Sequence, residues 1–438
     1  MAVSLHLQRK REFQTKVMDV AHLPTPHNAA NIRAKFGEVL SVYGMNEDDL
    51  FKVVSDNAST MKKAFAVKLW EEDENDDEND TSVPENEEIG DQDEVQDMEV
   101  ELGDVFEESL RLPCSIHTLQ LLVKDIIAAM PPRYRNLLVK CKLAAKKQHM
   151  SQKLTEVVTK VLPEHGTTRW NGQYTLMKCI LDHFEEAVQY FNFTESDRAP
   201  LAALVKFFAP FFKTTKAWEA DKVATIHNVI PFLLVLERHI VSSVEVPADF
   251  KNLALAALEK RFGMVTHDPF YLSATILSSH GKKWLANAPN VALKFGGLDY
   301  IVELVKGYIS ILVEDLPVHL HGAHDNNLQS APADDNFDSL FGYSSNATTS
   351  TASWGSQFED HILRSATLSP SLDPVAYWKD MPISPLSVAA VQILSVPASS
   401  APVERIFSTC GLFCTSKRTR MKPDLLAALV RAKYNSEG

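Results

Sequence analysis

The sequence predicts an α/β fold combined with a large α-helical part. Short apolar runs of the strand type occur near the start of the chain, at 3–7, 13–20 and 50–54. From about residue 176 to residue 315, apolar residues recur every three or four positions, and no strand-type alternation interrupts them. The closing residues carry several helix-starting signals. These observations place a mixed layer first, helices in the middle and helices at the end.

The first part of the chain alternates strands with helices. Two strands precede a helix at 27–43, and the strand at 50–54 runs into the polar turn Ser55-Asp56-Asn57 and a second helix. Asp56 therefore lies where a sheet strand ends, which is where open α/β sheets place functional groups. The alternative is that Asp56 caps the following helix, because Asp is a favoured N-cap residue.

The net charge of −13 conceals a basic body. Residues 71–108 hold 20 acidic residues and no Lys or Arg, so the remaining chain has 44 basic and 37 acidic residues. We expect this insert to be disordered, because it cannot bury enough apolar surface to offset its ordering entropy. It is either a solvated spacer or a nucleic-acid mimic that competes for the basic surface of the body.

Three helices are predicted near the end of the chain. Ser384 followed by Pro385 starts a helix that is apolar on nearly every side, which predicts that it is buried. Ser399 or Ser400 caps the next helix, which carries Glu404 near its start. Pro423 starts the last helix, whose apolar stripe consists of Leu426, Leu429, Val430 and Tyr434.

We divide the chain into six segments. They are the first part of a mixed core (1–70), the acidic insert (71–108), the continuation of the core (109–175), a helical insertion (176–321), a flexible linker (322–357) and a C-terminal region that completes the core (358–438). No apolar run approaches the length of about 20 residues that a membrane span needs, and five cysteines in 438 residues form no disulfide framework. We therefore expect a protein of a reducing compartment with no membrane partner.

Several motifs follow one another along most of the chain. They are VVSDNASTM (53–61), CSIHTLQL (114–121), TRWNGQY (168–174), WEADKVATIHNVIPFL (218–233), DPVAYWKDM (373–381), LSVPASSAPVERIFSTCG (394–411) and KRTRM (417–421). In this order they resemble the hAT superfamily of DNA transposases and the host proteins derived from them, including the BED-finger type. One segment departs from the family pattern, which reads Leu-Asp-Pro-Arg-Phe-Lys where this chain has LSSHGK at 277–282.

The resemblance implies a ribonuclease-H-like α/β core that a large all-helical insertion interrupts and that both ends of the chain close. It also implies a homodimer formed through residues 358–438, association with DNA and a location in the nucleus. No small-molecule substrate is expected.

In the family, three carboxylates hold two Mg²⁺ ions for DNA strand transfer, and Asp56 and Glu404 match the second and the third. The first would lie on a strand before the one that resembles Val3–Leu7, and this sequence shows neither that strand nor a BED-type zinc finger ahead of the core. We therefore expect a transposase-derived nuclear protein that has lost catalysis, with Mg²⁺ as cofactor only if activity remains. The alternative is an active hAT transposase whose finger and first catalytic strand are missing from this sequence.

The resemblance also assigns binding residues. His117 of the C-x-x-H motif would support the active site or contact DNA, and Arg169 with Trp170 would hold a flipped base by stacking, unless Trp170 is plain core. The C-x-x-H pair alone supplies two of the four ligands of a structural zinc site, so we expect no zinc there. The dimerisation pattern contains Trp378, Arg405, Phe407, Leu426, Leu429 and Val430. For the last helix, the alternative is that it only covers the sheet of its own chain.

Asp56 and Glu404 should lie close together in the fold, because carboxylates that share such a metal site are within reach of one or two ions, roughly 4–8 Å apart. An experimental structure measures this separation directly. Side chains more than about 12 Å apart would contradict the prediction.

The chain as given should not cut or join DNA with Mg²⁺ or Mn²⁺, because one of the three carboxylates has no counterpart in the sequence. Nicking and strand-transfer assays with the intact chain test this expectation. Activity above background that Glu404→Gln abolishes would refute it.

Overall fold

The computed structural model describes residues 1–9, 12–23, 25–65, 110–163, 170–279, 297–314, 316, 353–365, 372–414 and 421–436. The acidic insert and most of the predicted linker lie outside these residues. In the described ranges helices predominate and the strands form two small sheets, which confirms the combination of α/β and α elements. The ribonuclease-H-like arrangement stays a prediction. No helix in these ranges has both the length and the apolar character needed to cross a bilayer.

The strands are β1 (Ala2–Arg9), β2 (Glu12–Val20), β3 (Val53–Ser55) and β4 (Arg111–Pro113). The helices are α1 (Ala29–Val42), α2 (Ser59–Ala64), α3 (Ser115–Ala129), α4 (Pro132–His149), α5 (Gln152–Val157), α6 (Trp170–Asp182), α7 (Phe184–Tyr190), α8 (Glu195–Trp218), α9 (Val229–Ser242), α10 (Ala248–His267), α11 (Pro269–Ile276), α12 (Leu298–Glu314), α13 (Trp354–Ser365), α14 (Pro374–Asp380), α15 (Pro385–Ser395), α16 (Ala401–Phe413) and α17 (Pro423–Asn435).

β1 and β2 form an antiparallel hairpin with two apolar faces. One face buries Val3 and Met18 against the apolar side of α1. The other face carries Val17, which packs with Ile406 and Val430 of the C-terminal helices. Successive strand residues point to opposite faces, so Val17 and Met18 serve two different cores. Both predicted strands and the predicted helix at 27–43 are confirmed.

β3 and β4 pair in parallel, with Val53 opposite Arg111. β3 is shorter than the predicted strand at 50–54 and begins later, because its pairing with β4 covers only three residues. The alternative in which Asp56 caps the next helix is wrong, because Ala58 occupies the N-cap position of α2. The Asp56 carboxylate instead accepts a hydrogen bond from the N–H of Ala58 at 3.2 Å, which closes a turn before the helix begins.

One continuous apolar core runs through the helices from α3 to α15. Its largest fully buried side chains include Trp218, Tyr271, Phe207, Phe208, Phe211 and Phe250. α3 packs against α8 and α10, and α6 packs against α4 and α8. The boundary predicted between residues 175 and 176 falls inside α6, so the two predicted segments share that helix.

The end of the predicted linker is helical. α13 begins at Trp354, inside the range 322–357, so the linker prediction is wrong for its last residues. The hydroxyl of Ser353 accepts a hydrogen bond from the N–H of Ser356 at 3.2 Å, and Phe358 is fully buried in the helical core. The cap and the buried ring together fix this helix although its surface is polar.

α15 and α16 agree with the predicted helix starts. The Ser384 hydroxyl accepts a hydrogen bond from the N–H of Ser387 at 3.2 Å, and most side chains of α15 are buried. Ser400 occupies the N-cap position of α16, but its side chain makes no capping bond.

The two ends of the chain meet at β2. The side-chain amide of Asn435 in α17 accepts a hydrogen bond from the N–H of Val17 and donates one to the carbonyl of Val17, both at 2.9 Å. The Asn435 side chain thus hydrogen-bonds the backbone N–H and carbonyl of Val17 at the edge of β2. Without a partner, such edge groups could pair with a strand of another chain. Arg431 adds an ion pair with Asp19 at 3.7 Å. The C-terminal residues therefore pack on the N-terminal hairpin and cover part of its edge.

Asn435→Ala should lower the free energy of unfolding by about 2 kcal/mol, because it leaves both backbone groups of Val17 without this partner. Denaturant unfolding measures the loss. The control is Ser436→Ala, whose hydroxyl bond to the Lys433 carbonyl is exposed and should contribute no more than about 0.5 kcal/mol. Equal unfolding midpoints for both variants and the parent chain would contradict the expectation.

Candidate functional site

The candidate site is centred on Cys114, between β4 and α3. The backbone N–H of Cys114 donates to the carbonyl of Ser55 at 2.8 Å, across the parallel strand pair. Its fully buried thiol accepts two backbone hydrogen bonds, from His117 at 3.5 Å and from Ser400 at 3.3 Å. The first bond caps α3 and the second holds the start of α16. One side chain therefore joins the end of the strand pair to the first turns of two helices.

Asp56 and Glu404 belong to the two segments that Cys114 connects. Asp56 directly follows Ser55, and Glu404 lies one helical turn after Ser400, to whose carbonyl its N–H donates at 3.3 Å. The two predicted metal ligands are thus carried by segments that Cys114 holds together. Their separation of roughly 4–8 Å stays a prediction.

Arg111 holds the turn that carries Asp56. Its guanidinium donates to Ser55 Oγ at 2.7 Å, to Asn57 Oδ1 at 3.0 Å and to the carbonyl oxygen of Asp56. Burial lowers the pKa of Arg111 from its usual value, and the nearby Asp56 carboxylate opposes that shift. These bonds fix the backbone of the turn, while the side chain of Asp56 is exposed to solvent.

Arg405 fixes the start of α16 from the opposite side. Its guanidinium donates to the carbonyl of Glu219 at 2.7 and 3.2 Å and forms an ion pair with Asp221 at 3.1 Å. Ser399 adds a hydrogen bond at 2.9 Å to the last carbonyl of α8. The loop after α8 therefore positions Glu404, a half-buried residue near the N-terminus of α16, where the helix dipole stabilises a carboxylate.

β1 contributes His6 to the same region, within reach of the charges of Asp221 and Arg405. Burial lowers the pKa of His6 to about 4, although Asp221 acts in the opposite direction. The imidazole is therefore neutral at neutral pH and adds no further cation beside Arg405. Its Nδ1 lies 3.0 Å from Thr15 Oγ1, so the ring is also tied to β2.

A metal ion in this region would be held by the carboxylates of Asp56 and Glu404, the two predicted ligands. Among the residues that the structure describes, no three or more His, Cys, Asp or Glu side chains are grouped so that they could hold one. Mg²⁺ bound by one or two carboxylates completes its octahedral shell with water and substrate phosphate. Asp56 and Glu404 therefore stay predicted ligands, and an ion bound by them would depend on a phosphate group.

The predicted DNA contacts occupy different environments. His117 is half-buried in the first turn of α3. Trp170 begins α6 and is nearly buried in an aromatic cluster, which is the core packing that was the alternative for this residue. Its ring neighbours are Tyr174, Phe208 and Phe212. Arg169 lies outside the described residues, and the DNA contacts of these three side chains stay predictions.

The predicted dimerisation residues divide into two groups. Those engaged inside the chain are Trp378, Arg405, Leu426 and Val430. The indole N–H of Trp378, for example, donates at 2.7 Å to the carbonyl of Leu277, which follows α11. Phe407 and Leu429 are exposed, with 48 % and 36 % of their surface accessible.

The last helix has two apolar stripes on opposite sides, so the prediction of one broad stripe is wrong. Val430 and Tyr434 face β2 and α16, and Val430 is fully buried. The other side exposes Leu425, Ala428, Leu429 and Ala432, which follow the i, i+3, i+4, i+7 spacing of one helix face. The sequence pattern did not separate the two stripes. Periodicity shows which side of the helix a residue lies on, but it does not show whether another element covers that side.

Arg111 and His6 are the parts of the site that the sequence patterns did not indicate. His6 lies within β1 and Arg111 begins β4. The spacing of residues along a strand does not reveal which distant turn such a polar side chain contacts. The available signal for Arg111 was a charged residue between apolar neighbours, three positions before Cys114. A buried charge requires partners, and the polar turn at 55–57 supplies them.

Comparison with known proteins finds a family match for the C-terminal helices. The hAT family C-terminal dimerisation region matches residues 356–436, which confirms the resemblance to this superfamily. A putative transcriptional regulator from Talaromyces stipitatus is 24 % identical over 284 residues, 60 % of this chain and 30 % of that protein. A human zinc finger BED domain-containing protein is 22 % identical over 348 residues, 74 % of this chain and 29 % of that protein. The matched part of this chain thus spans about three tenths of the length of either relative.

Cys114→Ala should lower the free energy of unfolding by about 2 kcal/mol, and Cys114→Ser should lower it less, because serine keeps a hydrogen-bond acceptor at the junction. Cys141 in α4 is the matched control, since it is equally buried in the apolar core and burial raises the pKa of its thiol to about 12. At that position Ala should be tolerated better than Ser, because a hydroxyl there loses its hydration. Denaturant unfolding that gives the same order of Ala and Ser at both cysteines would contradict this assignment.

Proposed function

We propose that the chain is a transposase-derived nuclear protein that self-associates through its last two helices and associates with DNA. The premise is that residues 356–436 match the hAT family C-terminal dimerisation region. The observation that carries the self-association is the outer stripe of α17, formed by Leu425, Ala428, Leu429 and Ala432.

The outer stripe is separate from the packing of the chain on itself. Val430 and Tyr434 already fill the contact with β2 and α16, and Asn435 completes it through the backbone of Val17. Leu425 has 53 % of its surface exposed. An apolar stripe of this kind on the second side of a helix marks an interaction surface.

A second copy of the chain is the partner that the outer stripe fits. Neighbouring α16 also exposes Phe407 and Leu412, which extends the apolar surface beyond one helix. A stable homodimer of the obligate type buries on the order of 2,000 Å² or more. The stripe of α17 would form the centre of such an interface, with the exposed part of α16 next to it.

Two observations support association with DNA. Outside the acidic insert, basic residues outnumber acidic ones, 44 to 37, which favours a polyanionic partner. The names of the two relatives describe a transcriptional regulator and a BED zinc finger protein. Both are proteins for which a nuclear location is expected, and we extend that expectation to this chain.

The proposed function includes no DNA strand transfer. The turn at Asp56 and the helix start at Glu404 have structural uses that need no chemistry, since Arg111 anchors the former and Arg405 anchors the latter. In this proposal Asp56 and Glu404 remain from an ancestral metal site. The surrounding structure is retained and the catalytic activity is lost.

The intact chain should be a dimer at micromolar concentration, and Leu425→Asp with Leu429→Asp should make it monomeric, because the two carboxylates would have to be buried in the interface without partners. Light scattering coupled to size-exclusion chromatography measures the mass. The matched control, Val241→Asp with Val244→Asp, adds the same charge at exposed apolar positions near the end of α9 and should leave the mass unchanged.

The circular dichroism spectrum and unfolding midpoint of the Leu425/Leu429 variant should stay close to those of the parent, because both side chains lie on the solvent side of α17. Val430→Ala should do the reverse. It should lower the free energy of unfolding by about 2 kcal/mol and leave the folded chain dimeric. A strictly monomeric parent chain would overturn the proposed self-association.

A further inference from the structure

The outer face of α4 is a basic surface. Helix α4 reads PRYRNLLVKCKLAAKKQH and contains no acidic residue, and the next acidic residues along the chain are Asp125 before it and Glu156 after it. A surface helix of this length ordinarily mixes both signs, because oppositely charged pairs at i, i+4 stabilise it. Helix stability alone therefore does not explain why α4 carries basic residues and no acidic ones.

Packing of the inner face fixes which cations point outward. The buried side chains of α4 are Tyr134, Leu137, Leu138, Cys141, Ala144, Ala145 and Gln148. Two lysines at the margins of this face are engaged within the chain. Lys140 pairs with Asp197 at 2.6 Å, and Lys147 donates to the carbonyl of Tyr190 at 2.9 Å.

The outer face combines cations with apolar side chains. Lys142 and Lys146 are exposed and lie one turn apart, about 6 Å along the axis. Arg135 is exposed on the same side, about 10 Å before Lys142. Its guanidinium also donates to the carbonyl of Met130 at 3.2 Å. Val139 and Leu143 lie between these cations with 51 % and 59 % of their surface exposed.

Helix stability accounts for only part of this face. Cations in the last turn interact favourably with the helix dipole, which applies to Lys146 and Lys147. The effect is confined to the last turn, so it gives no reason for Lys142 or for the exposed Val139 and Leu143. A face with cations along about 16 Å and apolar side chains between them is suited to a polyanion that also offers apolar surface.

We propose that this face of α4 contacts the sugar–phosphate backbone of duplex DNA, with Arg135, Lys142 and Lys146 on phosphates and Val139 and Leu143 against the deoxyribose rings. The inference rests on the proposed association with DNA and assigns a surface to it. Duplex DNA carries a charge about every 1.7 Å along its axis, so a straight helix finds phosphates wherever it lies along the backbone. A flexible acidic peptide would neutralise the same cations but would lose conformational entropy that rigid DNA does not lose. The contact is independent of base sequence, because backbone contacts position a protein and carry no sequence information.

The test measures how DNA affinity depends on salt. The intact chain and its Lys142→Gln, Lys146→Gln double variant are titrated against a fluorescently labelled 20-base-pair duplex at several NaCl concentrations. Each phosphate contact contributes about 0.9 to the slope of log affinity against log salt concentration. The double variant should therefore bind more weakly, with a slope smaller by about 1.8.

Two controls separate this surface from net charge. Lys213→Gln with Lys260→Gln removes two exposed cations from α8 and α10, and affinity and slope should stay close to those of the parent. Lys142→Arg with Lys146→Arg keeps the charges and should restore both quantities. Unfolding midpoints equal to that of the parent establish that the variants are folded.

Three outcomes would overturn the inference. If the parent binds DNA and the Lys142/Lys146 variant keeps the same slope, DNA association stands and the surface is wrong. If the parent binds no DNA at any salt concentration, the proposed association with DNA falls and this inference falls with it. If the variant leaves DNA binding unchanged but accelerates cleavage of residues 71–108 by a glutamate-specific protease, the face of α4 contacts the acidic insert instead of DNA.

Discussion

A single buried thiol holds the parts of this structure that come from distant positions in the sequence. Cys114 follows β4, caps α3 and accepts the hydrogen bond that fixes the start of α16. Sulfur is a weak acceptor, but at a buried helix start its removal would leave backbone N–H groups without partners, and that penalty is larger than the bond itself. Three elements depend on this junction: the turn that carries Asp56, the first turn of α3 with His117, and α16 with Glu404. The cysteine of the C-x-x-H pattern thus has a structural explanation that requires neither a metal nor DNA.

The C-terminal helices carry out two tasks with opposite faces. The inner side of α17 completes the N-terminal hairpin, and Tyr434 ties it to α16 through hydrogen bonds to Thr409 at 2.9 Å and to the carbonyl of Arg405 at 3.0 Å. The outer side exposes apolar residues, which the proposed dimer would bury. The proposed dimerisation and the folding of the chain therefore use the same helix, because detachment of the inner face would remove the outer face with it. Truncation of this region would remove the inner and the outer face together. Substitutions on the outer face alone therefore separate self-association from folding.

The sequence predicted most helices, the hairpin and the cap at Ser384, because these features depend on local periodicity and on residues next to one another. Local patterns placed Asp56 at the end of a strand and Glu404 near the start of a helix, but only the resemblance to a family paired them as metal ligands. The sequence missed the length of β3, the anchoring by Arg111 and the two-sided character of α17, since each depends on a partner far away in the sequence. Leu429 and Val430 illustrate the limit. They are neighbours in an apolar run, and only the position of β2 decides that Val430 is buried while Leu429 is exposed.

The bond between Asn435 and Val17 spans 418 residues of sequence. On a ribosome that adds about 5–20 residues per second, the partner of the β2 edge is made roughly 20–80 s after β2 itself. Throughout that interval the hairpin emerges with an open edge and with one apolar face uncovered, which is the condition in which strands pair with the wrong chain. Synthesis of the last helix therefore ends the exposure of the nascent hairpin, because its residues cover that edge and that face.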